Sequence, residues 1–239
     1  MTGGRSGFDG PLTGQSWDMP PFADRADAGR RLAPLVADAL RVPGGDGTPI
    51  VLALPRGGVP VAFEIGAALG LELDLLLVRK LGVPGREELA FGAIASGGVQ
   101  VLNPEIVATA DVRPEALEAI VERELAELHR RERRYRGDRP PAAVAGRTVV
   151  VVDDGLATGA TMRAAVAALR ERGAARIVVA VPVGSGDACA QLDVEADALI
   201  CPVLPRRFRA VGAWFDDFEP VGDAQVAELL ARAAAAART

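Results

Sequence analysis

The chain has 239 residues, 49% of them apolar and 25% charged, with 27 Lys+Arg against 32 Asp+Glu and a net charge of −5. That composition is too apolar for disorder and long enough for one sizeable core, and its acidic balance excludes a globally cationic surface made for nucleic acid. Two cysteines, Cys189 and Cys201, and one histidine, His129, exclude a Cys/His zinc site and argue against a disulfide framework.

Residues 1–23 are rich in Gly, Pro and polar residues and read as an irregular N-terminal arm. They hold no apolar stretch of the kind a secretory leader needs, and no apolar run in the chain approaches the roughly 18 residues that span a bilayer. The expectation is a cytoplasmic protein without a membrane partner. From Asp24, DRADAGRRLAPLVADALR has apolar residues at helical spacing, and Pro34 predicts a kink or local break in it.

A short apolar run, IVLAL (50–54), then leads through PRGG (55–58) into the helical VPVAFEIGAALG (59–70) and a second strand, LELDLLLV (71–78). This is a βαβ unit with parallel strands. FGAIA and VQVLN flank Ser96-Gly97-Gly98 as a hairpin. The longest helical signal is 114–136, opened by Pro114 and stopped by Gly137, Pro140 and Pro141. His129 lies in its Arg-rich end and reads as solvated surface rather than a catalytic base.

The strand, Gly-containing turn and helix pattern then repeats in RTVVVVDD (147–154), GLATGAT (155–161) and MRAAVAALRERG (162–173). Two further strand runs, RIVVAVPV (176–183) and ADALICPV (196–203), flank a short helix, and an Ala-rich helix closes the chain at 223–238. Strands alternating with helices predict an α/β fold: a Rossmann-like parallel sheet flanked by helices. The expected organisation is an arm at 1–23, a core domain at 24–204 and a C-terminal segment with a helix at 205–239.

The stretch Val149 to Thr161 carries the chemistry. A β-branched strand ends on two adjacent carboxylates, Asp153 and Asp154, and in open α/β sheets ligands bind beyond the carboxyl ends of strands. The small residues of the following loop let backbone N–H groups approach an anion at a helix N-terminus, and the Thr158 and Thr161 hydroxyls add donors. Acids repel phosphate but accept hydrogen bonds from sugar hydroxyls, so the combination suits a phosphorylated sugar. The loop is not a Walker A motif, for it has no lysine, and no G-x-G-x-x-G triplet follows a strand.

VVVVDDGLATGAT resembles the phosphoribosyl pyrophosphate (PRPP) motif of the type I phosphoribosyltransferases, with Ala157 where many members carry Thr. The resemblance implies a type I core with a small hood built from the terminal segments, in which Asp153 and Asp154 hold the ribose hydroxyls. It places the 5′-phosphate in the loop of Ala157, Thr158, Gly159, Ala160 and Thr161, with Gly155 a further PRPP contact. LPRGGVP (54–60) resembles the family's pyrophosphate loop, implying PRPP contacts from Arg56, Gly57 and Gly58 and a peptide at Pro55–Arg56 that is strained or cis. Arg79 and Lys80 resemble an Arg-Lys pair of adenine phosphoribosyltransferases and, with Asp153 and Asp154, are the expected catalytic groups, Arg79 and Lys80 facing the pyrophosphate leaving group. The resemblance also implies that residues 81–90 are a short mobile flap over the reacting centre.

In such a hood Phe208, Trp214 and Phe215 are candidates to stack on an acceptor base, and equally suit a small satellite core. FRAVGAWFDD resembles a base-binding segment of hypoxanthine-guanine phosphoribosyltransferases, placing Asp216 with Asp153 and Asp154 on the side of a Mg²⁺ ion. PVGSGD (182–187) lacks the lysine those enzymes use to read an oxopurine. The implied activity is Mg²⁺-dependent transfer of 5-phosphoribosyl from PRPP to a nitrogenous base by a homodimer. The alternative is a PRPP- or nucleotide-sensing regulator that binds RNA through the Arg-rich 130–139 segment.

Overall fold

The computed structural model describes residues 22–42, 44–109, 113–137 and 139–236, so the expected N-terminal arm lies outside the described residues except for Phe22 and Ala23. In chain order these form α1 (Arg25–Leu40), β1 (Ile50–Ala53), α2 (Gly58–Leu69), β2 (Glu72–Leu75), β3 (Val78–Val83), β4 (Arg86–Ala95) and β5 (Val99–Leu102). They continue as α3 (Pro104–Thr109), α4 (Pro114–Arg136), β6 (Thr148–Val152), α5 (Ala160–Glu171), β7 (Arg176–Ala180), α6 (Gly186–Glu195), β8 (Ala198–Ile200) and α7 (Asp223–Ala236).

Five strands pair in parallel in the order β2-β1-β6-β7-β8. Their apolar runs are continuous because both faces are covered. Val51, Ala53, Val150, Val152, Val178 and Ala180 pack toward α1, α2 and α7, whereas Ile50, Leu52, Val149, Val151, Ile177 and Val179 pack toward α5 and α6. The alternation follows from the two-residue period of a strand. β1 connects through α2 to one side of the sheet and β6 through α5 to the other, so the order reverses between them. The loops that follow β1 and β6 therefore leave the sheet side by side, Ala53 being in register with Val152.

The structure changes three of the sequence expectations. Pro34 does not break α1, which runs continuously over 16 residues with an Asp24 N-cap whose carboxylate accepts from Asp27 N at 2.6 Å. The run 71–78 is two strands, since the chain leaves the parallel sheet after Leu75 and starts a separate antiparallel sheet, β3-β4-β5, at Val78. Buried Ser96 supports this crossing: its hydroxyl accepts from Leu77 N at 3.0 Å, and its own N–H donates to Leu77 O at 2.9 Å. Residues 81–90, read as a flap, belong to the paired β3–β4 hairpin, with register shifts around Gly82. The hairpin expected around 96–98 is present as β4–β5.

α4 has the predicted limits, with Pro114 in its first turn and Gly137 in a positive-φ conformation (64°) at its end. Its first half packs Leu117, Ile120, Val121 and Leu125 against Leu81, Val83, Phe91 and Ile94 of the small sheet, while Leu128 and Tyr135 reach the main core. At the other end of the chain α7 buries Val226, Leu229 and Leu230 in that same core. No helix of the described residues is long and apolar enough to cross a membrane.

Candidate active site

The carboxyl ends of β1 and β6 define a cleft at the reversal of strand order. Asp153 and Asp154 follow β6 directly, and Asp154 N donates to Asp153 Oδ1 at 2.8 Å, which fixes the Asp153 carboxylate against the backbone of its neighbour. Burial pushes Asp153 well above the usual carboxylate range, and the neighbouring Asp154 charge adds to it. Burial likewise raises Asp154, opposed by a hydrogen bond from Arg25. Two crowded acids at a strand end cost stability in the ligand-free fold, the pattern of a site shaped for binding rather than for packing.

The loop after β6 enters α5 through Gly159, whose φ of 70° suits glycine. Two neighbours hold it in place. Leu156 N donates to Val183 O at 2.9 Å, and Ser185 Oγ donates to Ala157 O at 2.7 Å while Ser185 also caps α6. Among the described residues, the N–H groups of Ala157, Thr158, Gly159 and Thr161 donate to no protein acceptor. Together with the exposed Thr158 and Thr161 side chains they gather donors at a helix N-terminus, an arrangement whose partial positive charge suits an anion.

The loop after β1 meets this one closely. A Cβ on Gly58 would lie 2.5 Å from Val152 O and 2.8 Å from Asp153 Cα, and one on Gly57 would run into Asp154 Oδ2. Glycine at both positions lets the two loops close on each other. The Pro55–Arg56 peptide is cis, as the resemblance suggested. The Arg56 side chain is about half exposed and lies 3.7 Å from Asp223 Oδ1, at the start of α7. Asp223 also accepts from Tyr135 Oη at 2.6 Å and pairs with Arg134 at 3.1 Å, which connects the pyrophosphate-type loop to the Arg-rich end of α4.

Other expected site residues are placed differently. Arg79 is held by Glu124 of α4, its Nε and Nη2 donating to one carboxylate oxygen at 2.8 and 2.5 Å, while Lys80 is exposed. Phe215 is buried in a small cluster with Phe22, Ala28, Val183 and Val203, and Phe208 and Trp214 pack against it. The cluster joins both ends of the described chain: Phe22 N donates to Trp214 O and Asp216 N to Phe22 O, both at 2.8 Å. Phe215 is thus occupied by Phe22 and Phe218, with ring centroids 5.4 and 4.9 Å away, rather than presented as an open stacking surface. Val211 of the same segment seats on Gly155, where a Cβ would come within 2.6 Å of it.

Asp216 is exposed, and the fold uses its backbone rather than its carboxylate. Among the described residues no group of three or more His, Cys, Asp or Glu side chains is gathered to hold a metal. The hard oxygens of Asp153 and Asp154 nevertheless fit Mg²⁺, which is commonly held by one or two carboxylates and completed by substrate oxygens. The residue that sequence reasoning missed is Arg25. Its Nε donates to Asp154 Oδ2 at 2.8 Å across a separation of 129 positions, and no local motif marks it.

Paired acids and an open-amide loop at the switch point of a parallel α/β sheet stand where folds of this class bind their ligands, beyond the carboxyl ends of the strands. Comparison with known proteins makes the class specific. The phosphoribosyl transferase domain model matches residues 27–210, and the chain belongs to that family. It is 45% identical over 215 residues to Mycobacterium tuberculosis proteins named as phosphoribosyl transferases, in strains H37Rv and CDC 1551. That match covers 90% of this chain and 47% of theirs, so the chain spans about half the length of these curated relatives. It is 32% identical over 152 residues to the bifunctional protein PyrR of Chloroflexus aurantiacus, covering 59% of this chain and 72% of that one. The crystal structure of TT1426 from Thermus thermophilus superposes with a TM-score of 0.79 at 45% identity, covering 89% of this chain and 98% of that one.

Proposed function

We propose that the protein transfers a 5-phosphoribosyl group from PRPP to a nitrogen of a planar, nucleobase-like acceptor, releasing pyrophosphate. The observation that carries this reading is the convergence of three elements at one switch point: the Asp153–Asp154 pair, the open amides of Ala157, Thr158, Gly159 and Thr161, and the glycine loop 56–58. Ionised Asp153 and Asp154 accept hydrogen bonds from the ribose 2- and 3-hydroxyls, and the loop and α5 N-terminus receive the 5′-phosphate. The free amides of Arg56 and Gly57, with the Arg56 guanidinium, receive the pyrophosphate end.

The bond from C1 to pyrophosphate breaks ahead of bond formation to the acceptor nitrogen, so the protein's work is positioning and neutralising the departing charge. Mg²⁺ would supply charge neutralisation for the departing pyrophosphate and would be held mainly by the substrate's own oxygens, with Asp153 and Asp154 the carboxylates that would assist indirectly. Lys80, exposed on β3, is the further cation assigned to the leaving group; Arg79 would have to leave Glu124 to join it. A cytoplasmic homodimer remains part of the proposal. The name of one relative, a Nocardioides uracil phosphoribosyltransferase 39% identical over 66 residues, makes uracil the first acceptor to assay.

Calorimetric titration of PRPP with and without Mg²⁺ tests the reading. Saturable micromolar binding that requires Mg²⁺ is expected, and Asp153→Asn combined with Asp154→Asn should abolish it with an unchanged circular dichroism spectrum. Absence of PRPP binding to the wild type under both conditions would overturn the proposal.

A further inference from the structure

Arg25 is the first residue of α1, yet its side chain does not point to solvent: it retains 11% of its exposure, and its partner Asp154 retains 17%. Its three contacts divide between two parts of the molecule. Nε donates to Asp154 Oδ2 at 2.8 Å, on the acid pair. Nη1 donates to Glu219 O at 2.9 Å, and the guanidinium carbon lies 3.7 Å from the centroid of the Phe218 ring, both on the segment that follows the aromatic cluster. Phe218 is itself fixed, packed on Phe215 at 4.9 Å and closely against Gly212.

An ionised carboxylate offers about four lone-pair directions on its two oxygens. Arg25 takes one on Oδ2 and leaves the others open, so the pair does not consume Asp154 as an acceptor. It does restrict where that carboxylate points, because Arg25 is held by a carbonyl and a ring that do not belong to the acid loop. Without Arg25, Asp154 would have no side-chain partner holding Oδ2 and would be free to turn, and that change moves an acceptor out of the cleft.

We propose that Arg25 is a positioning residue of the sugar site, orienting Asp154 to accept from a ribose hydroxyl and fixing that orientation on the hood segment Phe218–Glu219. The inference rests on the PRPP reading and adds to it a physical link between the hood and the ribose acids. It separates the ribose part of the ligand from the phosphate parts, since among the described residues the hydrogen bonds of Arg25 go to Asp154 and Glu219 and to neither anion loop.

The test is calorimetry in Mg²⁺ with two probes, PRPP and inorganic pyrophosphate, on the wild type, Arg25→Ala, Arg25→Lys, Phe218→Ala and the Arg25→Ala/Phe218→Ala pair. Arg25→Ala should weaken PRPP about tenfold or more while leaving pyrophosphate within about twofold of the wild type. Arg25→Lys should recover part of the loss, and adding Phe218→Ala to Arg25→Ala should cost little more. Equal loss for both probes would mean a merely structural role and would overturn the proposal. So would unchanged PRPP binding, or tighter binding, which would make the ion pair a latch that blocks the site. Failure of the wild type to bind PRPP would remove the functional reading and this inference with it, an outcome distinct from a silent Arg25→Ala in a binding-competent wild type.

Discussion

Gly57 has φ and ψ of −61° and −36°, values any residue adopts, so its backbone does not require glycine. What excludes a side chain is the Asp154 carboxylate, into which a Cβ would run. Gly57→Ala should therefore cost about 1–3 kcal/mol of stability and most of the PRPP affinity. The stability cost should disappear in an Asp154→Ala background, as thermal melts of the four proteins of that cycle would show. Asp153 makes the opposite trade. Its carboxyl is raised by burial and by Asp154, so the folded state holds the proton to higher pH than the unfolded chain does. Stability contributed by this group is lost as pH rises from the ordinary carboxylate range through the raised one. Asp153→Asn should accordingly raise the apo-protein Tm at neutral pH by a few degrees, on a scale of about 2–4 °C per kcal/mol, flatten the dependence of Tm on pH, and eliminate PRPP binding. A lower Tm in this variant would show that the acid is structural.

At the scale of elements, α1 contains its own weak point. Pro34 supplies no N–H to the Arg30 carbonyl, and an interior proline costs a helix about 3 kcal/mol. The residue is exposed, so Pro34→Ala opens no cavity and should stabilise the protein by about 1–3 kcal/mol, read as a rise in Tm. The helix forms regardless because Ala28, Leu32, Ala33, Val36 and Ala39 are buried on one face, and tertiary packing outweighs the local preference. The same competition explains what was legible in the sequence. α4 could be read to its ends, since its proline, its period and its terminal glycine agree. The run 71–78 could not, because a continuous apolar stretch carries no mark of the point where the chain changes sheets; Ser96, which stabilises that point, is distant in sequence. The site divides in the same way. The acid pair and its loop are contiguous and were visible as a motif, whereas Arg25 and Ser185 join it through tertiary folding alone. The aromatic residues at 208–215 were visible as a cluster, but only the arrival of Phe22 makes Phe215 part of a small core.

Across the whole molecule, α4 joins the two sheets, and its arginines show how an acidic chain uses a basic run. Arg130 and Arg131 both bind Glu127, holding its carboxyl down at about 2, and Arg134 binds Asp223. Arg136 is different in kind. Its side chain is 2% exposed, pairs with Asp74 at 2.7 Å and Glu132 at 3.1 Å, and donates to Leu75 O, tying the helix end to the edge strand β2. Asp74 also accepts from Ala142 N at 2.9 Å, so the segment leading to β6 hangs on the same carboxylate. Exposed ion pairs contribute about 0–1 kcal/mol each, whereas removing one member of a buried pair costs about 3–5 kcal/mol. Arg136→Ala alone should therefore lower the Tm more than Arg130, Arg131, Arg133 and Arg134 all changed to Ala. If these charges serve the fold, the fourfold variant should also leave the weak binding of a single-stranded RNA oligonucleotide unchanged across a salt titration. A steep salt-dependent RNA affinity in the wild type that the fourfold variant abolishes would instead assign the run to a nucleic-acid partner, because phosphate contacts release counterions and intramolecular pairs do not.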